Sequence, residues 1–320
     1  MKLLYPEFWQ NKSTLAYFLL PLGWIYLALG ALRRVITKPI RLPGYVICVG
    51  NCTVGGTGKT QVVIWLARKL KEKGVKFVIL SKGFGGSYKD PVIVTSSMLA
   101  KYVGDEALEL CQYGTTIVSR KVKDSLALLR SLAPEVIIID DGMQNPGFIK
   151  DRIIMTVDGL RKFGNGFPIP AGPMRQTKRF KDIDAVVVVG GNDNIETNIK
   201  TSAPTFNASI MPTQSVDNSK KYYAFAGIGN PDRFFKTLKK AGLQCQTECV
   251  FPDHHVYLKQ EIDKIYHEAQ SQGLSIITTR KDYMKLGIYR DKISCLDVAL
   301  HIEEESKLFD IAYEKPHEKS

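Results

Sequence analysis

Apolar residues in this chain fall into short uninterrupted runs, separated by glycine-containing loops and amphipathic stretches. Tyr45–Val49, Phe77–Ser81, Thr116–Val118, Val136–Ile139, Ile153–Val157 and Ala185–Val189 each read as a buried strand. Gln61–Lys73, a stretch opened by Gly104 and running to about Gln112, and Val122–Leu132 read as the helices between them. Continuous apolar strands alternating with helices predict an α/β fold with a mostly parallel sheet and helices on both faces. Between about Gly191 and Lys220 the chain becomes polar and rich in Asn, Ser and Thr, as an interdomain connection would be. Beyond it, strands at Tyr222–Phe225, Gln244–Val250 and Ser275–Thr278 alternate with helices at Pro231–Ala241 and Lys259–Gln270. The expected organisation is an N-terminal helical segment (1–42), a core (43–190), a connection (191–220) and a smaller C-terminal α/β domain (221–320) closing over the site.

The N-terminal segment has its own pattern. No residue from Thr14 to Leu32 is charged, and Arg33, Arg34, Lys38 and Arg41 follow. The length is just enough to cross a bilayer. Pro21 and Gly23 interrupt the run, and Trp24 and Tyr26 favour the membrane interface. A membrane-surface helix is the first reading, a single span the second and a buried core helix the third. The basic cluster would lie against anionic head groups.

The most specific motif joins the first strand to the first core helix: Val49-Gly-Asn-Cys-Thr-Val-Gly-Gly-Thr-Gly-Lys-Thr60. Strand, glycine loop and helix are the parts of a P-loop, whose backbone N–H groups wrap nucleotide phosphates. Thr53, Val54, Gly55, Gly56, Thr57, Gly58, Lys59 and Thr60 are therefore assigned to phosphate binding. The Lys59 ammonium would neutralise charge, and the Thr60 hydroxyl would ligate Mg²⁺. Thr53 stands where the strict pattern has glycine, so the loop is a variant, with Gly55 and Gly56 expected to supply positive-φ turns.

Other candidates fall at strand ends, where open α/β sheets bind ligands. Asp140 and Asp141 follow four aliphatic residues; they read as a Mg²⁺-binding pair beside the loop, or otherwise as a solvated turn. Asp105 opens a predicted helix, where a cap is as good a reading as a reactive carboxylate. His254 and His255, beside Asp253, could handle a proton, join a metal site or be structural. Arg120, Asn145 and Arg175 sit in loops that could meet a substrate, the two arginines through an anion; Arg175 ends a Gly- and Pro-rich stretch from Phe163 that must be a shaped loop.

The net charge of +12 predicts an anionic partner: nucleic acid, an acidic membrane or a phosphorylated substrate. Six scattered cysteines show no zinc-site spacing and suit reduced thiols, with Cys245 and Cys249 on one face of their strand.

Together these motifs resemble the tetraacyldisaccharide 4′-kinase family of lipid A biosynthesis. The resemblance is carried in order by Gly50-Asn51 through Thr60, Gly104-Asp-Glu106, Asp140-Asp-Gly-Met-Gln144, Phe163-Gly-Asn-Gly166 with Pro170-Ala-Gly-Pro173, Ala226-Gly-Ile-Gly229 with Arg233-Phe-Phe235, and Phe251-Pro-Asp-His-His255. It implies transfer of phosphate from ATP, with Mg²⁺, to the 4′-hydroxyl of a lipid A disaccharide precursor at the cytoplasmic face of the bacterial inner membrane. It also implies that Asp105 takes the hydroxyl proton and that His254 pairs with it; His255 joins Arg120, Asn145 and Arg175 as a candidate substrate contact. Departures are Lys82-Gly-Phe-Gly-Gly86 for the common Arg-Gly-Tyr-Gly-Arg, Asn145 for a usual His, and Gln176 for a common Glu. An alternative is a partition- or targeting-type P-loop ATPase switch, but the lysine that opens such loops is Val54 here. A nucleic-acid partner lacks a basic stripe interleaved with aromatics, and no obligate protein partner is expected.

Overall fold

In the computed structural model, residues 6–177, 182–190, 201–213, 217–253 and 255–314 are described, and nine strands among them form one sheet. In chain order these are β1 (Tyr45–Asn51), β2 (Phe77–Ser81), β3 (Val92–Ile93), β4 (Thr116–Val118), β5 (Val136–Asp140), β6 (Arg152–Asp158), β7 (Ala185–Val189), β8 (Thr205–Pro212) and, last in the chain, β13 (Val298–Ile302). Their spatial order is β13-β8-β7-β6-β1-β5-β2-β4-β3. Every neighbouring pair from β8 to β4 is parallel, and only the edge strands β13 and β3 run antiparallel.

The central strands are buried on both sides, which is why their sequences are apolar throughout. Ile47, Val49, Ile138, Ile154 and Val187 face Val62, Leu66 and Leu70 of α2 (Lys59–Glu72) and Leu308 and Phe309 of α9 (Glu305–Ala312). On the other face, Val46, Ile137 and Ile139 pack on Leu129, while Met155, Val157, Val186 and Val188 pack on Cys52, Phe163 and Met174. The remaining helices of the core are the single turn α3 (Ala100–Val103), α4 (Asp105–Leu110) and α5 (Leu126–Leu132), which carries Leu129.

A second, four-stranded parallel sheet has the order β10-β9-β11-β12, from β9 (Lys221–Ala226), β10 (Gln244–Val250), β11 (Ser275–Thr279) and β12 (Ser294–Leu296). Phe234 and Leu238 of α6 (Pro231–Lys240) cover Tyr222 and Ala224 on one face. Ile262 and Ile265 of α7 (Lys259–Ser271) cover Tyr223 and Phe225 on the other. The short α8 (Arg280–Tyr283) follows β11 directly.

Two sequence expectations change here. The smaller unit does not extend to the C-terminus: β13 and α9 return to the large sheet, and the stretch expected to be only a connection contains β8. Phe206 and Ala208 of β8, with Leu300 and Ile302 of β13, all point into the core shared with α2 and α9. Pairing β13 on β8 also covers an edge that would otherwise be exposed. The second change concerns Cys245 and Cys249, which do not share a face. A bulge between Cys245 and Thr247 shifts the register, so Cys245 joins the α6 side and Cys249 the α7 side. All six cysteines are free thiols.

The uncharged N-terminal run forms one helix, α1 (Thr14–Ile36), capped by the Ser13 hydroxyl, which accepts from the Ala16 N–H. It is long and apolar enough to cross a membrane by length and composition. Only a narrow stripe touches the body. Ala16 and Gly23 are buried, Pro168 fits against the bare Gly23 backbone, and Tyr17 meets Phe167 edge to face at 5.2 Å. The opposite stripe of Phe18, Leu22, Ile25, Leu29 and Leu32 is exposed.

The Phe163–Arg175 loop holds this foot in place through buried Asn165. Its Nδ2 donates to the carbonyls of Phe8, Asn11 and Ala171, its Oδ1 accepts from Phe167 N–H, and its own N–H donates to Trp9 O at 2.6 Å. Asn165→Ala is expected to cost about 1–3 kcal/mol, because it strands buried backbone groups. A lower urea midpoint in detergent, with earlier proteolytic cleavage near Trp9, is the expected result; an unchanged midpoint would count against this role.

Candidate active site

The site grows from the carboxyl ends of the parallel strands. β1 runs into the glycine-rich loop, and Asn51 spans the turn by donating from Nδ2 to Gly55 O at 3.4 Å. Gly55 and Gly58 take positive φ, +109° and +90°, whereas Gly56 does not; the expected pair of turning glycines is therefore Gly55 and Gly58. At Gly58 a Cβ would also lie 2.9 Å from Val189. Gly58 thus serves both the backbone turn and the close approach of β7 at the start of α2. The Thr57 hydroxyl is locked at 2.7 Å to that of Thr156. The Lys59 and Thr60 side chains have no hydrogen bond or ion pair to other described residues.

The outer half of the loop is zipped to the far end of the Phe163–Arg175 segment. Val54 N–H donates to Pro173 O, Arg175 N–H donates to Cys52 O, and Thr53 and Met174 form an antiparallel bridge. Gln144, in the turn after β5, donates from Nε2 to Asn51 O at 2.6 Å and to Gln176 Oε1 at 3.2 Å. The departure at Gln176 therefore has a definite task here: it accepts a bond that also steadies the entrance of the loop.

Asp140 and Asp141 stand at the end of β5, next to β1. The Asp140 carboxyl is buried and its Oδ1 has no hydrogen-bond partner, a costly arrangement for an anion. Burial and the nearby Glu106 charge push its pKa up to about 8. Asp141 behaves oppositely. Burial works against its charge, but Lys59, Arg175 and Lys82 outweigh it and hold its pKa below the usual carboxylate value. An uncompensated carboxylate oxygen at the end of β5, next to the strand that leads into the glycine-rich loop, fits a hard divalent cation such as Mg²⁺, which commonly takes one or two carboxylates and leaves other positions to phosphate and water.

Asp105 is the first residue of α4, and the helix receives no side-chain cap. Gly104 takes the N-cap position and Asp105 follows it in the first turn, so Asp105 is not the N-cap residue itself. The preceding Gly104 has φ +89°, and a Cβ there would sit 2.6 Å from Phe84 O. From the other side, a Cβ on Gly83 or Gly86 would strike Val103 O or Tyr102 O at 2.8 and 2.5 Å. The Lys82–Gly86 loop thus meets the 102–104 backbone directly and sets where Asp105 points. Asp105 Oδ2 lies 3.1 Å from Lys285 Nζ of the smaller unit.

The smaller unit touches the core on both flanks of the phosphate loop. On one flank, Lys281 lies 4.0 Å from Glu106 and 3.6 Å from Asp253. Burial opposes its charge, yet Glu106, Asp253 and Asp105 keep its pKa above the ordinary lysine value. On the other flank, Arg233 pairs with Asp158 at 2.8 Å and donates to Val189 O, while Asn230 donates to the same Asp158 carboxylate. Asp158 and Arg161, with Thr53 to Thr57, line a small cleft under the Gly229 turn.

The other predicted residues find varied places. Arg175 directs Nη1 at both Asp141 oxygens, each at 3.0 Å, so it braces the acidic pair. Arg120 is exposed and donates to Gly86 O at the rim of the second glycine loop. Asn145 closes its own turn, with Oδ1 accepting from Gly147 N–H and its carbonyl accepting from Lys150. His255 is committed inside the smaller unit, at 2.9 Å from Glu261 and stacked on Phe251. His254 lies outside the described residues.

Sequence reasoning did not single out Asp158, Arg161, Lys281 or Lys285, and it gave Arg233 only as part of a motif, without a role. Asp158 had a signal, an acid closing an apolar strand run as Asp140 does. The two lysines had none, since their relevance arises only when the two units meet.

A family model described as tetraacyldisaccharide-1-P 4′-kinase matches residues 15–314. Tetraacyldisaccharide 4′-kinases of Rickettsia akari (strain Hartford) and Rickettsia felis are 45% and 46% identical to this chain over 319 residues, covering 98% of it and 98% of each relative. A crystal structure of LpxK from Aquifex aeolicus, described as in complex with ATP, is similar with a TM-score of 0.75 and 28% identity, over 94% of this chain and 99% of that one. With a family match spanning nearly all of its length, this chain belongs to the tetraacyldisaccharide-1-P 4′-kinase family.

Proposed function

We infer that the protein transfers the γ-phosphoryl group of ATP to the 4′-hydroxyl of a tetraacyldisaccharide 1-phosphate, a lipid A precursor, giving the bisphosphorylated lipid. The observation that carries the reading is one cluster at the ends of neighbouring strands: phosphate loop, acidic pair and the separate carboxylate of Asp105. Phosphoryl transfer asks a protein mainly for positioning and charge stabilisation, and this cluster offers both.

In this reading the Gly55–Gly58 backbone and Lys59 hold the β- and γ-phosphates of ATP. Thr60, Asp140 and Asp141 would hold Mg²⁺, which neutralises phosphate charge when bound. Arg175 keeps Asp141 ionised and oriented. The sugar O4′ attacks the γ-phosphorus, the bond from that phosphorus to the β–γ bridging oxygen breaks, and ADP departs. Asp105 accepts the hydroxyl proton as the new bond forms, and His254 is the proposed partner of that carboxylate. Arg120 is the best placed of the candidate substrate cations, being exposed near the loop that positions Asp105. Asn145 and His255 are given structural tasks instead.

The acceptor is a lipid, and α1 offers an apolar stripe with Arg33, Arg34, Lys38 and Arg41 beyond it. Such a helix binds the boundary of an anionic bilayer through apolar burial and charge together. We place it on the surface of the cytoplasmic face of the bacterial inner membrane, with its narrow docked stripe fixing the site at lipid level.

Incubation of the protein with ATP, Mg²⁺ and tetraacyldisaccharide 1-phosphate in detergent should add a second phosphate to the lipid. No transfer, with ATP hydrolysis stimulated instead by DNA or a protein, would favour the switch ATPase. Asp105→Asn should lower kcat by about 10²–10⁴-fold and leave ATP affinity nearly unchanged; near-normal turnover would remove Asp105 from the chemistry. Replacing Phe18, Leu22, Ile25 and Leu29 together by Ser should move the protein from the membrane to the soluble fraction, whereas unchanged fractionation would contradict the proposed attachment.

A further inference from the structure

We propose that Lys285 is a positioning residue for phosphoryl transfer: it orients and keeps ionised the Asp105 carboxylate, and so makes the base competent only when the smaller unit is seated on the core. The inference rests on the reading of Asp105 as the proton acceptor.

The supporting geometry is a chain of buried contacts anchored in the second sheet. Asp282, in α8, is fully buried. One of its oxygens accepts from Gly227 N–H and from the Thr279 hydroxyl, both at 2.8 Å. Gly227 follows β9 and Thr279 ends β11, so Asp282 is tied to two central strands of the second sheet. Its other oxygen is 3.2 Å from Lys285 Nζ, whose side chain is only 7% exposed. The same ammonium reaches across to Asp105 Oδ2 at 3.1 Å. One cation thus bridges two carboxylates belonging to different units.

Each part of the bridge has a physical consequence. The buried Asp282 carboxylate pairs with Lys285 at 3.2 Å, so the ammonium is held by more than its flexible stem. A tethered ammonium has other protons to donate, and the one given to Asp105 selects a carboxylate orientation at the first residue of α4. The cation also stabilises the charged form of the carboxylate. On α4, Glu106 and Glu109 oppose it; from the smaller unit, Lys281 adds to it and Asp282 partly offsets it. Lys285 lies 3.1 Å from Asp105 and is supplied by the smaller unit.

The test compares Lys285→Met, Lys285→Arg and the charge-balanced Asp282→Asn/Lys285→Met variant, each also combined with Asp105→Asn. The balanced variant leaves no unpaired carboxylate at position 282, so it keeps the comparison usable if Lys285→Met folds poorly. The expected result is a kcat about ten-fold lower or more in Lys285→Met and in the balanced variant, with KM for ATP and lipid within about three-fold. Lys285→Arg should recover part of the rate. The acid limb of the kcat profile should move to higher pH by about one unit, since loss of the cation makes Asp105 easier to protonate. On the Asp105→Asn background, removing Lys285 should cost almost nothing more, as expected for groups acting as one.

Wild-type kcat in the balanced variant would overturn the proposal. So would a kcat loss with an unmoved acid limb and full additivity with Asp105→Asn, the signature of a merely structural lysine. Normal turnover in Asp105→Asn alone would instead remove the base assignment on which the proposal rests, so the two failures are distinguishable.

Discussion

Seven strands of the large sheet, from β8 to β4, run parallel, and this forces their carboxyl ends to one edge. The chemistry follows from that constraint. The phosphate loop leaves β1, the acidic pair leaves β5 beside it, and Asp158 leaves β6 on its other side. The second glycine loop leaves β2, next to β5. Burying both faces of such a sheet takes continuous apolar strands, so polar groups appear only where strands stop. The same rule that makes the core greasy makes its strand ends chemically dense.

That rule explains how much was legible in the sequence. Runs such as Val136–Ile139 and Ala185–Val189 announced themselves because every residue is buried. Strand β8 was missed because its inward residues Phe206, Ala208 and Ile210 alternate with Thr, Asn and Ser, and the polar half resembled a connection. β13 is short, and its partner lies far back in the chain, so local pattern could not assign it to the large sheet. Cys245 and Cys249 were misjudged for a different reason: period-two counting fails when a bulge adds a residue.

Site residues divide along the same line. The phosphate loop, Asp140, Asp141 and Asp105 lie in local motifs whose chemistry is written in a few adjacent residues. Arg175 was readable as an anion ligand but not as a brace for Asp141, because a sequence motif gives charge without direction. Lys281, Lys285 and Arg233 acquire meaning only from the approach of the second sheet. Their burial with carboxylates makes the contact between units a matter of matched charge, in which removing one member leaves the other exposed to the full cost of desolvation.

The loop from Phe163 to Arg175 bears on how this enzyme can vary over evolution. One end meets the N-terminal helix through Pro168 and holds the turn at residues 8–11 before it through Asn165, and the other is bonded to the glycine-rich loop through Pro173, Met174 and Arg175. The N-terminal helix and the candidate active site are therefore not interchangeable modules. A helix grafted from a relative would bring a foreign footprint to a loop whose far end cannot shift without disturbing nucleotide binding. Change in α1 is then freest on its outward stripe, where side chains can vary without touching the loop.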